Sequence, residues 1–217
     1  MKDKLNKIRE PEEASMASGI IASILFAVIG IAVGAAVCWI NYMADHSTVW
    51  WQDIVGDLQL NTVFSRFPIW FLMGLCVAVW SYHPIKAAIN EIAFFVGVTA
   101  GHMIAPKVIP GLEGASGGGT KWLLIGVIAA ALAVVIWYAK SKSWPSIAFD
   151  AVIIGLLGAY CFDIGFVYFH FNDLIIDLIN VLIVFLVVVV LGSGLIQFLV
   201  SLLGGALIAL VLSPLFH

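Results

Sequence analysis

The stretch LIVFLVVVVL at residues 182–191 is ten consecutive side chains without a hydrogen-bonding group, and it prolongs an apolar run that opens at Leu174. A strand of a membrane β-barrel alternates polar and apolar residues, so this continuity excludes a barrel. A helix on a water-facing fold needs a polar face, which is missing here. What remains is a helix in lipid, where every backbone N–H and C=O is satisfied within its own segment. Six further stretches read the same way. With about 20 apolar residues needed per crossing, the sequence predicts helices at 19–42, 67–82, 85–105, 122–139, 147–168, 174–191 and 194–213. Gly192, Ser193 and Gly194 permit a sharp reversal between the last two. A single rod in their place would be about 60 Å long, twice the hydrocarbon thickness.

Composition agrees. Of 217 residues 63% are hydrophobic and 11% charged, and the mean hydropathy is +1.10. A water-facing fold of this size cannot hide that much apolar surface. The expected fold class is all-α: a polytopic integral membrane helical bundle of about seven transmembrane helices in the cell membrane. Residues 1–17 are expected to form a cytoplasmic segment and 18–217 a single transmembrane domain. The first apolar run exceeds a signal-peptide core of roughly 7 to 15 residues, so it reads as a retained span. Basic residues set the orientation. Seven spans with the N-terminus inside place Lys2, Lys4, Lys7, Arg9, Lys86, Lys140 and Lys142 in the cytoplasm, against Arg66, Lys107 and Lys121 outside. The C-terminus then lies outside.

A net charge of −3, spread along the chain, gives no basic patch for nucleic acid. Cys38, Cys76 and Cys161 all fall in apolar runs and read as small buried hydrophobes. No cofactor motif is present: the chain lacks GxxxxGK[ST], HExxH and a dinucleotide fingerprint. The lipid bilayer is the expected partner, with a membrane-protein partner or a second copy as a further possibility. The connection 45–66 reads as a connector anchored by Trp50 and Trp51 in preference to a surface helix. The Gly-rich segment within 106–121 reads as flexible.

Membrane helices associate through close backbone approach at small residues four apart. Three helices carry such ridges, all expected to be buried. The first has Ser18/Ala22, Ser23/Ala27, Gly30/Gly34 and Ala32/Ala36; the third Ala93, Gly97, Gly101 and Ala105; the last Ser201, Gly205, Ala209 and Ser213.

An ionisable group inside a bilayer costs about 2.5 to 3.5 kcal/mol, so each one present needs a partner, a cavity or a function. Glu91, beside Asn90 in the third span, and Asp150 in the fifth are such groups. His102 lies eleven residues after Glu91, on the same helical face and about 16 Å further along the axis. Glu91, Asp150, His102 and Asn90 are therefore the candidate pathway for a solute or ion. Either Glu91 and Asp150 share a cytoplasmic-facing polar pocket, or each snorkels or meets Lys86, Lys140 or Lys142 in a purely structural arrangement. An outer polar cluster gathers Asp163, His170, Asn172, Asp173, Asp177 and Asn180, either as a cation entrance or as a solvated helix start with acids at its positive end. Its spacing fits no defined metal motif. Gln197 reads as an interhelical hydrogen bond.

Gly114, Ala115, Ser116 and Gly117 form a short match that resembles the GxSG nucleophile motif of rhomboid intramembrane proteases. That resemblance implies a serine activated by a histidine on a later helix. Spans four to seven hold no well-placed His, so the motif lacks its base. The functional expectation is a small membrane protein that moves, or helps to move, a small solute or ion. The alternatives are a non-transporting membrane subunit, scaffold or immunity-type partner and, more remotely, an intramembrane enzyme.

Overall fold

The computed structural model describes residues 8–12, 15–45, 50–109, 112, 119–141, 143–164, 169–170 and 173–216. The helices are α1 (Met16–Asp45), α2 (Trp50–Asp57), α3 (Leu60–Ser65), α4 (Phe67–Trp80), α5 (Pro84–Val108), α6 (Gly119–Ala139), α7 (Trp144–Cys161), α8 (Leu174–Leu191) and α9 (Leu195–Leu212). A 3-10 turn, Ser213–Leu215, follows. Six of these, α1 and α5 to α9, are long and apolar enough to cross a membrane, the pattern of a multi-pass membrane protein. The seventh apolar helix, α4, has 14 residues. At about 21 Å it falls short of a hydrocarbon layer of roughly 30 Å.

Pro68, Pro84 and Pro145 each sit in the first turn of a helix, where the missing N–H would have had no partner and the fixed φ favours the helix. Hydrogen bonds gather two sets of segments at opposite ends of the bundle. At one end Glu12 N–H donates to the Tyr82 carbonyl at 3.0 Å. Beside it Trp137 Nε1 donates to the Ser81 carbonyl at 2.6 Å and Lys140 Nζ to the Val190 carbonyl at 2.5 Å. At the other end Ser213 Oγ donates to the Phe162 carbonyl at 3.1 Å, and Gln59 Nε2 to Asp173 at 2.8 Å.

Two close crossings organise the bundle. At the first, α1 meets α5 through Gly30 and Gly34 on one side and Gly97 and Gly101 on the other. A Cβ on Gly97 would overlap the Ala27 carbonyl, and one on Gly34 the Val98 carbonyl. At the second, α7 meets α9. There Gly205 faces Ile154, Gly158 faces Ala209, and Ser201 and Ser213 are buried on the same stripe. The predicted ridges are thus buried where glycine or the last helix carries them. Ser18, Ala32 and Ala36 instead face outward, because one helix presents only one stripe to its neighbour.

Two expectations need correction. The fifth predicted span, α7, ends at Cys161 instead of near 168. Asp163–Ile164 then pairs antiparallel with Phe169–His170, Asp163 opposite His170. The run from Phe162 to Phe169 is nearly all apolar, so hydropathy alone cannot mark the break. The connection 45–66 is not a plain connector, since it forms α2 and α3. The first carries a pronounced apolar face, and Trp50 stands exposed, as suits a helix lying at an interface. The Gly-rich segment with Ser116 lies outside the described residues.

The α1–α5 crossing yields a direct test. Gly97→Leu should lower stability by about 3 kcal/mol through overpacking. Gly56→Ala, where an added methyl meets nothing within 4 Å, should stay within about 1 kcal/mol of the parent. Thermal unfolding in mild detergent distinguishes the two.

Candidate functional site

Glu91 is the eighth residue of α5, and its carboxylate is packed against Gly74 of α4. The side chain is 1% exposed, and its Oε2 has no hydrogen-bond partner. An added Cβ at 74 would run into Oε1, so the carboxylate would have to move to make room for it. The carboxylate lines a cleft of about 490 Å³ between α4, α5 and α6, with Tyr160 of α7 closing one side. The volume is that of a small-molecule site.

The cleft has a distinct wall and rim. Trp70, Trp122 and Phe95 form an aromatic wall, with ring centroids 4.1 Å apart for Trp70–Trp122 and 6.3 Å for Trp70–Phe95. Trp70 is held by its own indole, which donates to the Phe64 carbonyl at 2.7 Å. Trp122 is buried too, yet its Nε1 has no partner. Arg66 and Lys121 both line the cleft and are exposed. They precede α4 and open α6, so they stand at the end of the cleft away from the Ser81 and Trp137 contacts.

Asp150 occupies a different setting. Fully buried on α7, it accepts from Gln197 Nε2 of α9 at 2.7 Å. Gln197 also lies 3.4 Å from Ser146 Oγ, which donates to the Ser141 carbonyl at 2.6 Å. Lys140 is within electrostatic reach of Asp150. Burial pushes the Lys140 ammonium below the ordinary lysine value; Asp150 pulls it back up, and Arg9 pushes it down. Asp150 is absent from the residues lining the Glu91 cleft, so the two acids do not share that cavity. Asn90, also fully buried, accepts from Ser23 Oγ of α1 at 2.6 Å and donates to Ser81 Oγ at 2.9 Å. It locks α1 to α5 and leaves Glu91, its neighbour, to face α4. His102 is buried on α5, with Nδ1 unpartnered, and is likewise absent from the cleft lining.

The outer acids and amides serve the backbone. Asp173 caps α8, accepting from the N–H groups of Ile175 at 3.1 Å and Ile176 at 3.3 Å. Asp177 accepts from the Asp173 N–H at 3.1 Å. Asn180 Nδ2 reaches the Cys161 carbonyl at 3.5 Å, where α7 ends. Asp163 and His170 are paired in the short ladder, while Asn172 lies outside the described residues. Among the described residues no group of three His, Cys, Asp or Glu is placed to hold a metal ion.

The residues that define the cleft with Glu91 were not singled out by the sequence. Arg66, Trp70 and Gly74 lie four apart in one segment and Lys121 and Trp122 are adjacent in another, but nothing in the sequence joins those two segments to each other or to Glu91. Comparison with protein-family models, with characterised proteins and with solved structures finds no match to the chain.

Asp173 gives a pH-dependent test. The hydrogen bond from Gln59, with those from the Ile176 and Ile175 N–H groups and the nearby Arg66, holds its carboxyl below the ordinary value against a smaller opposing effect of burial. A depressed acid stabilises the fold above its unfolded value and loses that contribution as pH falls through the folded value. Asp173→Ala should therefore lower the thermal midpoint at about pH 7. The difference between parent and variant should shrink as pH falls below the ordinary carboxylate range and through the depressed folded value.

Proposed function

We propose that this protein carries, or helps a partner to carry, a small solute or ion across a membrane, and that Glu91 is the group the cargo or its coupling proton meets. The observation that supports the reading is the bare oxygen of a buried carboxylate on the wall of a solute-sized cleft. An acid retained only for packing would be expected to have a partner, as Asp150 does in Gln197. Asp150 is bonded on one oxygen and bare on the other, whereas among the described residues Glu91 has no hydrogen bond at all, so the cost of placing it in a bilayer goes unrecovered unless a proton or a ligand joins it.

The reading includes seven crossings, with the N-terminal end in the cytoplasm. The short helix α4 counts as a crossing. Its connection to α5, Ser81–His83, gathers with residues 8–12, and a membrane thinned around a short helix is a modest cost. Asp150 and Asn90 then act as interhelical clasps beside the route. His102, whose Nδ1 is unpartnered, is a second polar group further along the same helix.

Two measurements test these points. Single-cysteine labelling in a background lacking Cys38, Cys76 and Cys161 should find position 10 and position 215 on opposite faces; labelling from one side would overturn the seven-crossing arrangement. In liposomes, proton flux driven by gradients of small organic ions should fall at least about tenfold in Glu91→Gln and persist in Asp150→Asn. Absence of flux in the parent, or equal flux in the parent and Glu91→Gln, removes Glu91 from any transport role and leaves a non-transporting subunit.

A further inference from the structure

The cleft is chemically polarised from rim to floor. Its rim carries two cationic residues, Arg66 and Lys121, which belong to separate segments and both line the cavity. A bound cation would have to pass two positive charges. Ser65 Oγ, also at the rim, donates to the Asn61 carbonyl at 2.7 Å.

Below the rim the wall is apolar: Trp70, Phe95, Ile125, Leu132 and Ala133 line it. The floor is Glu91, opposite Gly74. Gly74 lies eight residues along α4 from Arg66, about 12 Å at 1.5 Å per residue. The charged groups that bear on the rim are few. Arg66 is within electrostatic reach of Asp173 and faces outward. The Lys121 nitrogen lies 5.3 Å from the centre of the Trp122 ring, so the second cation stands beside the aromatic wall.

We infer that the cleft binds an amphipathic anion, its carboxylate or phosphate head held by Arg66 and Lys121, and its apolar tail lying along the wall of Trp70, Trp122 and Phe95. Bidentate guanidinium contacts suit both head groups. The tail removes the wall from water or lipid disorder. Binding of this kind stands apart from transport, because it requires no flux. Two sources share the chemistry, a free single-chain amphiphile and an anionic lipid of the bilayer.

The test uses the full chain in phosphatidylcholine nanodiscs and the quenching of its tryptophans by bromine. Terminally brominated decanoate should quench saturably. The equivalent brominated alkyl-trimethylammonium should quench only by unsaturable partitioning. Binding should weaken about tenfold or more in the Arg66→Gln/Lys121→Gln pair and stay unchanged in Lys107→Gln, which removes an exposed charge outside the cleft lining. Arg66→Lys/Lys121→Arg keeps both charges and should bind, which separates a lost head-group contact from a misfolded chain. If brominated phosphatidylglycerol in the disc quenches with the same variant dependence and competes with decanoate, the occupant is a lipid; if only decanoate does, it is a free amphiphile. Equal saturable binding of the cation, or anion binding indifferent to Arg66 and Lys121, overturns the assignment. Saturable binding of decanoate by a parent that shows no flux leaves this assignment standing and removes the transport reading, whereas flux without saturable anion binding does the reverse.

Discussion

Close backbone approach between α1 and α5, set by four glycines, is the contact on which the rest of the arrangement depends. Lipid gives no hydrophobic reward for bringing two apolar helices together, so packing and hydrogen bonding have to do it. Gly30, Gly34, Gly97 and Gly101 let each helix seat against the other's carbonyls. At that separation Ser23 reaches Asn90, and Asn90 reaches Ser81. The chain of bonds then runs to Trp137 through the Ser81 carbonyl. One crossing thus fixes four helices at their shared end. It also fixes the rotation of α5, which turns Asn90 toward α1 and the next residue, Glu91, toward α4.

The same construction appears at the other side of the bundle. There α7 meets α9 through Gly155, Gly158 and Gly205, and a buried polar pair, Asp150 with Gln197, lies toward the same end as the Ser23–Asn90 pair. In both cases the polar contact stands before the glycine approach along the helix. A hydrogen bond in low dielectric is directional, so it fixes register where a smooth small-residue stripe would let helices slide. Around this end two cations complete the helix termini. Arg9 donates to the Trp137 and Val79 carbonyls at 3.0 and 3.2 Å and stacks 4.2 Å above the Trp137 ring. Lys140 donates to the Val190 and Gly192 carbonyls. The last carbonyls of α4, α6 and α8 have no partner within their own helices, and the macrodipole concentrates negative charge there. A positive group at that end satisfies both, which gives Arg9 a structural reason to fold back onto the bundle.

The helices were legible because hydropathy reports them directly: α8 occupies 174–191 as its sequence indicates, and α9 differs by one residue at each end. The glycine stripes were legible because spacing of four is a property of one helix. What escaped reading depends on contacts between segments. The end of α7 at Cys161 rests on Asn180 and the Asp163–His170 pairing, inside a run whose composition still looks like a helix. Glu91 stood out as an acid in a span, but its partnership with Gly74, Trp122 and Arg66 has no signature in any single segment. Asp150 looked equivalent to Glu91 for the same reason. Only the position of Gln197, one helix beyond the next, separates an acid that is satisfied on one oxygen from one that is not.

That difference between two acids bears on how a bilayer protein keeps a reactive group. Gln197 contributes an amide hydrogen bond to Asp150, and Lys140 is near enough to compensate charge. A carboxylate so held is stabilised where it is and has little reason to exchange its contacts. Glu91 is flanked by Gly74, which offers no side chain, and by Phe95, which offers no polar atom. Its environment therefore leaves both charge states without a fixed partner, and small changes in what enters the cleft change which state is favoured. Placing the donors of the cleft at the rim, some 12 Å away along α4, keeps them from pairing with the acid directly. The separation keeps the cations and the acid apart within one cavity, something a collapsed ion pair between Arg66 and Glu91 would abolish.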